Sequence, residues 1–112
     1  MAGQRLRRTV RLRDPRDFQR VNRTGTRRSS LHFVAVIAPA RGDEAPKLGL
    51  AVSRRVGNAV ARNRVKRRVR EWFRRARPAL PPATDWVLIA RAGAAQLDSR
   101  SIHAELAELA AR

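Results

Sequence analysis

The chain has 112 residues and a formal net charge of +17, with 26 Lys and Arg residues against nine Asp and Glu. This length suits one small domain with a single hydrophobic core and leaves little room for a two-domain enzyme. The chain has no cysteine, which excludes disulfides and thiolate chemistry. Because so large a charge repels itself, the composition predicts a polyanionic partner, nucleic acid first and an anionic membrane second.

The hydrophobic segments argue against a membrane protein. The longest apolar stretches, residues 33–38 and 86–90, are far shorter than the about 20 residues of a membrane-spanning helix. Residues 1–8 are basic but precede no apolar run, so they do not form a secretory signal. We therefore expect a cytoplasmic protein. Its core is small for its charge, so we also expect its partner to stabilise the fold.

The positive charge lies in two blocks. Residues 1–30 carry a net +8 and residues 54–77 a net +10, whereas the segments between and after them are nearly neutral. This distribution indicates a scaffold with two basic surfaces. Arginine supplies 24 of the basic residues. Its planar group suits RNA phosphates, although a codon bias accounts for the excess equally well.

The first predicted element is a short helix. Asp14 is suited to the N-cap and Pro15 to the first helical position, and Gly25 ends the segment. Phe18 and Val21 lie three residues apart and therefore share one face. Phe18 either anchors this helix in the core or stacks on an unpaired base.

Two strands are predicted next. Residues 31–38 are apolar on both faces apart from His32, which is typical of a central strand. Residues 47–53 alternate, with aliphatic side chains on one face and small residues such as Gly49 and Ala51 on the other. The bare face admits either another backbone or a packed helix.

Residues 58–77 form the strongest predicted helix, with Asn58 as N-cap and Pro78 as its stop. The spacing of its apolar residues predicts a buried stripe, comprising Val65, Val69, Trp72 and Ala76. The opposite face carries a polar row about 16 Å long, at about 1.5 Å per residue. This row comprises Asn63, Arg67, Arg70 and Arg74. Such a row can follow a phosphate backbone.

A further strand at residues 85–91 and a helix at 99–111 complete the chain. The element order α, β, β, α, β, α predicts an α/β sandwich with helices on a small mixed sheet. A protein nuclease needs metal-binding carboxylates or a histidine-based acid–base pair, and neither is visible. His32 and His103 stand alone on different elements. We expect no catalytic residue and no metal site, which leaves RNA binding as the available chemistry.

One segment carries a specific motif. Residues 49–71 read GLAVSRRVGNAVARNRVKRRVRE, with an Arg-Asn-Arg triplet at 62–64, Lys-Arg at 66–67 and a further arginine, Arg70. This segment closely resembles the protein component of bacterial ribonuclease P. The flanking elements agree, so the resemblance covers nearly the whole chain. It is read as a single RNA-binding domain, residues 1–112, with residues 1–12 as a flexible basic arm.

The resemblance implies a fold and a function. The fold is a small, mostly four-stranded sheet packed with three helices, with an additional strand near residues 26–29 and a left-handed crossover through the long helix. The function is that of the non-catalytic subunit of an endoribonuclease. Its RNA subunit hydrolyses precursor tRNA at the 5′ end with Mg²⁺, and the protein itself holds no cofactor. The implied partners are ribonuclease P RNA and precursor tRNA, with no further protein required.

The resemblance also assigns site residues. Those implied to contact the catalytic RNA are Arg54, Arg55, Asn58, Arg62, Asn63, Arg64, Lys66, Arg67 and Arg70. Those at or near a cleft for the single-stranded 5′ leader, between the sheet and the first helix, are Phe18, Phe33, Val36 and Ser53. Some relatives carry an aromatic residue in place of Val36, which implies weaker stacking here. Arg54 and Arg55 replace a common lysine pair, which keeps the charge and alters phosphate geometry.

Three alternatives differ from this interpretation. A ribosomal or RNA-chaperone protein would share the composition and lack the motif. A DNA-binding basic helix needs a downstream heptad zipper, but Pro78, Pro81 and Pro82 interrupt the helix. A membrane-active helix would need the apolar face that the sheet requires.

Overall fold

The computed structural model describes residues 11–12, 14–40 and 46–112. In chain order the elements are α1 (Pro15–Thr24), β1 (Thr26–Ser29), β2 (Phe33–Pro39), β3 (Lys47–Val52), α2 (Ala59–Ala76), β4 (Thr84–Ala90) and α3 (Ser99–Ala111). Short 3-10 turns follow α2 and β4. All the predicted elements are present, and β1 is the additional strand that only the resemblance implied. Most of the predicted flexible arm, residues 1–10, lies outside the described residues, as do residues 41–45.

The four strands form one mixed sheet in the order β1-β2-β4-β3. The β1–β2 and β2–β4 pairs are antiparallel, and the β3–β4 pair is parallel. The position of β2 between two neighbours confirms the prediction of a central strand. Because β3 and β4 are parallel neighbours, α2 must cross over the sheet between them. The handedness of that crossover stays a prediction.

Helices cover both faces of the sheet and create two cores. On one face, α2 and α3 bury a larger core that includes Phe33, Trp86 and Leu88. On the other face, α1 buries a smaller core that includes Val21, Val36 and Val87. This arrangement is the predicted sandwich of helices on a small mixed sheet. No helix in the described part of the chain is long and apolar enough to cross a bilayer.

The helix ends follow the sequence signals. The side chains of Asp14 and Asn58 cap α1 and α2 by accepting hydrogen bonds from backbone N–H groups, each at 2.9 Å. Within α2 the predicted stripe is buried, except that Ala76 is only partly so, and Phe73 is also fully buried. Phe73 was missed because α2 packs on both the sheet and α3, which makes its apolar face wider than one stripe.

Candidate nucleic-acid interface

A rigid turn between β3 and α2 presents the first two basic residues of the motif. Arg54 and Arg55 are exposed at its tip, while Val56 is only 5% exposed and anchors the turn in the larger core. Gly57 follows with a φ of 155°, and a Cβ there would lie 2.9 Å from the Cβ of Ala61. Both its conformation and this close approach require glycine. The turn therefore holds the two arginines at the start of α2.

The outward side of α2 is polar and accessible. Asn63 and Arg67 are exposed, and Arg62 is partly exposed. Within the described ranges, Asn63 and Arg67 have no hydrogen-bond or ion-pair partner. The far end of the predicted row is different, because Arg74 is half-buried and donates a hydrogen bond to Glu71 at 3.1 Å. The exposed polar groups Asn63 and Arg67 therefore lie near the middle of the helix, and Arg74 near its end is held by Glu71.

A second side of α2 uses its arginines to hold the fold. Arg64 donates a hydrogen bond to the carbonyl of Ala95 at 3.4 Å, and Arg68 donates one to Leu97 at 2.5 Å. Both carbonyls belong to the connection between β4 and α3. Arg64 belongs to the implied RNA-contact set, yet it has this intramolecular partner and is only partly exposed.

The third side of α2 faces the edge strand β3 and the N-terminal segment. Arg11 forms an isolated parallel bridge with Leu48, and the Leu12 N–H donates to the Leu48 carbonyl at 2.8 Å. Between this segment and α2 lies a cavity of about 260 Å³. It is lined by Arg11, Leu12, Phe18, Leu48, Leu50, Lys66 and Arg70. Sequence reasoning missed Arg11, whose only signal was the basic N-terminal block.

The cavity brings cations together. Lys66 and Arg70 approach it from α2 and Arg11 from the other side, and no carboxylate is among the lining residues that the structure describes. Burial lowers the pKa of Arg70 below its usual range, and the neighbouring charge of Arg11 lowers it further. A site of this kind favours an anionic ligand.

The α1 side of the sheet carries the predicted leader cleft. Phe18 is partly exposed, and its ring lies over Gly49, where a Cβ would come within 2.6 Å of the ring atom Cζ. The bare face of β3 thus admits a helix side chain at Gly49, while Ala51 and Ser53 stay exposed.

The other two predicted cleft residues are not accessible. Val36 is fully buried beneath the end of α1, and Phe33 is 1% exposed on the opposite face of the sheet. The placement of Phe33 at this cleft is therefore wrong, since alternate residues of a strand point to opposite faces. The accessible floor instead includes Ile89, which pairs with Ala51 and which sequence reasoning missed.

The two histidines lie on different parts of the fold, and His32 precedes β2 instead of lying on the predicted strand. His32 Nδ1 lies 2.8 Å from Glu105 Oε1, which ties the β1–β2 connection to α3. His103 lies on α3, and its Nε2 is buried without a partner in the described structure. Residues 11–12, 14–40 and 46–112 contain no group of three or more His, Asp or Glu side chains placed to hold a metal ion.

Comparison with known proteins decides the family. The sequence model of the Ribonuclease P family matches residues 6–112, which is nearly the whole chain. The chain belongs to the ribonuclease P protein family. It is 44% identical over 105 residues to the ribonuclease P protein component of Syntrophobacter fumaroxidans, which covers 91% of this chain and 86% of that one. The protein component of Shouchella clausii is 38% identical over 101 residues, covering 90% and 83%.

Solved ribonuclease P proteins share the fold. The protein from Thermotoga maritima, solved with a fluorophenyl thiourea, gives a TM-score of 0.83 at 33% identity, covering 91% of this chain and 98% of that one. The Staphylococcus aureus protein gives 0.81 at 31% identity, covering 89% and 91%. This chain is a ribonuclease P protein subunit, and RNA binding follows from the family. Membership of the ribonuclease P protein family excludes the alternative of a ribosomal or RNA-chaperone protein.

Proposed function

We propose that this ribonuclease P protein docks on the ribonuclease P RNA through the β3–α2 turn and the outward side of α2, and leaves hydrolysis to the RNA. The observation that supports this is the exposure of Arg54, Arg55, Asn63 and Arg67 on one rigid turn and helix. Arginines held in this way can neutralise successive phosphates, while an asparagine can reach a base edge or sugar. Arg62, Lys66 and Arg70 extend this surface toward β3.

The α1 side of the sheet is the proposed site for the single-stranded 5′ leader of precursor tRNA. Phe18 offers an aromatic face for one base, and Ala51 and Ile89 form a low apolar floor beside it. Ser53 adds a hydroxyl at the end of β3. Such a surface binds unpaired nucleotides with little sequence preference, which suits leaders of different sequence.

The chemistry is assigned to the RNA. Mg²⁺ would be bound by the RNA subunit, and the protein would contribute affinity for RNA and precursor in the cytoplasm, with no further protein required. The role of the chain is to neutralise phosphates and to hold the leader in position.

Reconstitution tests this proposal. The full chain is added to a bacterial ribonuclease P RNA at low Mg²⁺, and release of the 5′ leader from precursor tRNA is followed. We expect strong acceleration over the RNA alone and no cleavage by the protein alone. A lack of stimulation with a cognate RNA would overturn the proposal, and cleavage by the protein alone would overturn the assignment of chemistry to the RNA.

The leader site is tested in the same assay. Loss of one stacked base in Phe18→Ala removes about 1–3 kcal/mol of binding free energy, and the loss should appear with precursor tRNA only. Mature tRNA, which lacks the leader, is the matched control. Equal losses for both would show that Phe18 serves only the core.

A further inference from the structure

A cavity of about 360 Å³ lies in the groove between α2 and α3, and we call it the α2–α3 groove. It shares no lining residue with the cavity beside Arg11. It is lined by Arg67, Arg68, Glu71 and Arg75 from α2 and by Ser99 and His103 from α3. Among the lining residues that the structure describes, three arginines accompany one carboxylate. Such a lining favours an anionic ligand.

The α2 wall of the groove holds guanidinium charge that its carboxylate does not balance. Arg67 and Arg75 are both exposed. Glu71 lies 2.8 Å from Arg75 and also accepts a hydrogen bond from Arg74 at 3.1 Å, so two arginines share one carboxylate. Arg68 is held by its hydrogen bond to the β4–α3 connection. Arg67 and Arg75 are therefore the two arginines of this wall that an anion can approach.

The α3 wall begins at the N-terminus of that helix. Asp98 caps the helix by accepting the Ser101 N–H at 2.8 Å. This hydrogen bond lowers the pKa of the Asp98 carboxyl, and the charges of Arg100 and Arg68 lower it further. The N–H groups of Ser99 and Arg100, at the first two helical positions, have no acceptor within the helix. They are donors at the positive end of a helix dipole.

His103 lies one turn further along α3 and lines the same groove. It is partly buried, and its Nε2 is shielded from water without a hydrogen-bond partner in the described structure. A protonated imidazole beside arginines is unfavourable unless an anion offsets its charge. The charged groups that line the groove or lie at the start of α3 are Arg67, Arg68, Glu71, Arg75, Asp98 and Arg100. A phosphate would supply the missing negative charge and accept a hydrogen bond from the imidazole.

The position of the groove indicates which phosphate it takes. Its volume of about 360 Å³ is at the small end of the usual range for ligand pockets, about 300–1,000 Å³. Arg67 belongs both to this groove and to the exposed side of α2 that is proposed to dock the RNA. Arg75 follows eight residues later, which is about 12 Å along the helix at about 1.5 Å per residue. An RNA strand on the outward side of α2 therefore reaches the groove.

We propose that the α2–α3 groove binds one phosphate of the ribonuclease P RNA between Arg75, the protonated imidazole of His103 and the N-terminus of α3. The proposal rests on the proposed docking function and extends it to α3, where the family resemblance assigns no RNA contact. Because the bound phosphate favours the imidazolium, protonation of His103 strengthens RNA binding by the same factor. Precursor tRNA carries the same phosphate chemistry, so the experiment must separate the two RNAs.

The first measurement is equilibrium binding of the full chain to ribonuclease P RNA, without tRNA, between about pH 5.5 and about pH 8, the range in which histidine changes charge. His103→Gln should bind about tenfold more weakly than the unaltered chain near the acid end, as for loss of a charge-assisted hydrogen bond. Near the alkaline end the two should bind equally. His103→Lys keeps a cation throughout and should bind tightly at both ends. Parallel pH profiles for the unaltered chain and His103→Gln would overturn the proposal.

The second measurement is the salt dependence of the same binding. Arg75→Ala should weaken binding about tenfold and reduce the salt slope by roughly 0.7–0.9, which corresponds to one phosphate contact. Arg27→Ala is the matched control, because it removes the same charge from an exposed position on the edge strand β1. It should change the affinity little. Equal losses in both variants would show that only net charge matters and would overturn the site.

A double-mutant cycle tests whether one phosphate is shared. Near the acid end of the range, Arg75→Ala and His103→Gln together should weaken binding less than the product of the two single effects. This result is expected because either change alone already loosens the same phosphate. Independent effects would overturn the shared site.

The third measurement needs no RNA. Sulfate is titrated into the full chain at constant ionic strength, and protonation of His103 is followed through its ring resonances. The midpoint should move to higher pH as sulfate is added, by about one unit for a tenfold coupling, and Arg75→Ala should reduce the movement. The ring of His32, which is paired with Glu105, is the internal control. An identical His103 titration at every sulfate concentration would overturn the anion site.

The outcomes separate the two proposals. If the unaltered chain stimulates cleavage but His103→Gln leaves the pH profile of RNA binding unchanged, the groove site is overturned and the docking function stands. If the loss appears only when precursor tRNA is present, the assignment to the ribonuclease P RNA is overturned. If the unaltered chain does not bind the RNA, the docking function fails, and the RNA assignment of the groove fails with it. Urea unfolding of each variant shows whether a loss reflects misfolding.

Discussion

One acidic side chain of this fold, that of Asp85, is buried. Asp85 is 3% exposed on the α1 side of β4 and accepts a hydrogen bond from Arg20. Arg20 also donates to the Pro39 carbonyl at 2.8 Å and to Asp17 at 3.3 Å. One arginine therefore ties α1 to the ends of two central strands. Its positive charge is used by the fold, unlike that of the exposed arginines on α2.

Removal of Arg20 should destabilise the protein strongly. In Arg20→Met the carboxylate of Asp85 stays buried without its cation, which costs about 3–5 kcal/mol in comparable buried pairs. Urea unfolding measures the free energy difference. Arg23→Met, at an exposed position of the same helix, is the control and should have a small effect. Adding Asp85→Asn to Arg20→Met should recover part of the loss, and no recovery would contradict the ion-pair explanation.

A second residue, Glu105, makes the stability of the fold depend on pH. Glu105 accepts hydrogen bonds from the backbone N–H of His32 at 2.8 Å and from the Ser30 hydroxyl. Burial acts to raise the pKa of Glu105, but the hydrogen bonds from Ser30 and His32 outweigh it, and the pKa is lowered from its ordinary value of 4.5. Because the folded pKa is the lower one, this stabilisation is present above pH 4.5 and disappears as pH falls through the folded pKa.

The variant Glu105→Gln should therefore be less stable at neutral pH by about 1–2 kcal/mol, as for loss of charged hydrogen bonds. The difference from the unaltered chain should shrink as the pH is lowered below 4.5. Thermal unfolding across this pH range measures it. Glu108→Gln is the control, since Glu108 is 76% exposed and lies 3.7 Å from Arg112. A difference that persists in acid would rule out the carboxylate as its source.

At the scale of elements, the different sides of the basic helix α2 have different structural roles. Its buried stripe packs on the sheet, one arginine side holds the β4–α3 connection, and the outward side is free. Sequence spacing separates buried from polar positions but does not distinguish arginines with intramolecular partners from those without. The difference depends on where α3 and its preceding turn lie.

The neighbouring arginines Arg67 and Arg68 should respond in opposite ways. Arg68→Ala loses the hydrogen bond to Leu97 and should lower the free energy of unfolding by roughly 1–2 kcal/mol with little change in RNA affinity. Arg67→Ala should leave stability unchanged within about 0.5 kcal/mol. It should weaken RNA binding and reduce the salt slope by roughly 0.7–0.9. Urea unfolding and salt-dependent binding measure both, and each variant is the other's control.

At the scale of the whole molecule, the net charge of +17 opposes compaction. Some arginines donate hydrogen bonds to backbone carbonyls, as Arg28 on the edge strand β1 does to Leu109 and Ala110. Such contacts satisfy hydrogen bonds and leave the charge in place. Self-repulsion therefore remains until an anion or the RNA is bound.

The melting temperature should accordingly rise with salt. An increase in sodium chloride from about 0.01 M to about 0.15 M shortens the screening length from roughly 30 Å to roughly 8 Å. Each kcal/mol gained raises the melting temperature of a domain this size by about 4–8 °C. Differential scanning calorimetry of the full chain measures the effect. A lower melting temperature at higher salt would show that attractive ion pairs dominate.

Much of this protein was predictable from sequence because the relevant signals are local. Asp14 and Asn58 cap the helices that they precede, and a run that is apolar on both faces identifies the central strand β2. The strand β1, with the sequence TRRS, has no apolar alternation and was found only through the family resemblance. The segment from 49 to 71 identifies the family from the sequence alone, because its motif is long and specific.

The tertiary structure decided which of these residues meet. The sequence by itself determined the elements, the two basic blocks and the family, since each depends on residues close together in the chain. Alternation along β2 already puts Phe33 and Val36 on opposite faces, and the helices packed on both faces of the sheet bury both residues. The pairing of the N-terminal segment with β3 brought Arg11 beside Arg70. Long-range pairing of this kind depends on how the sheet is assembled, and the local periodicity of the sequence does not predict it.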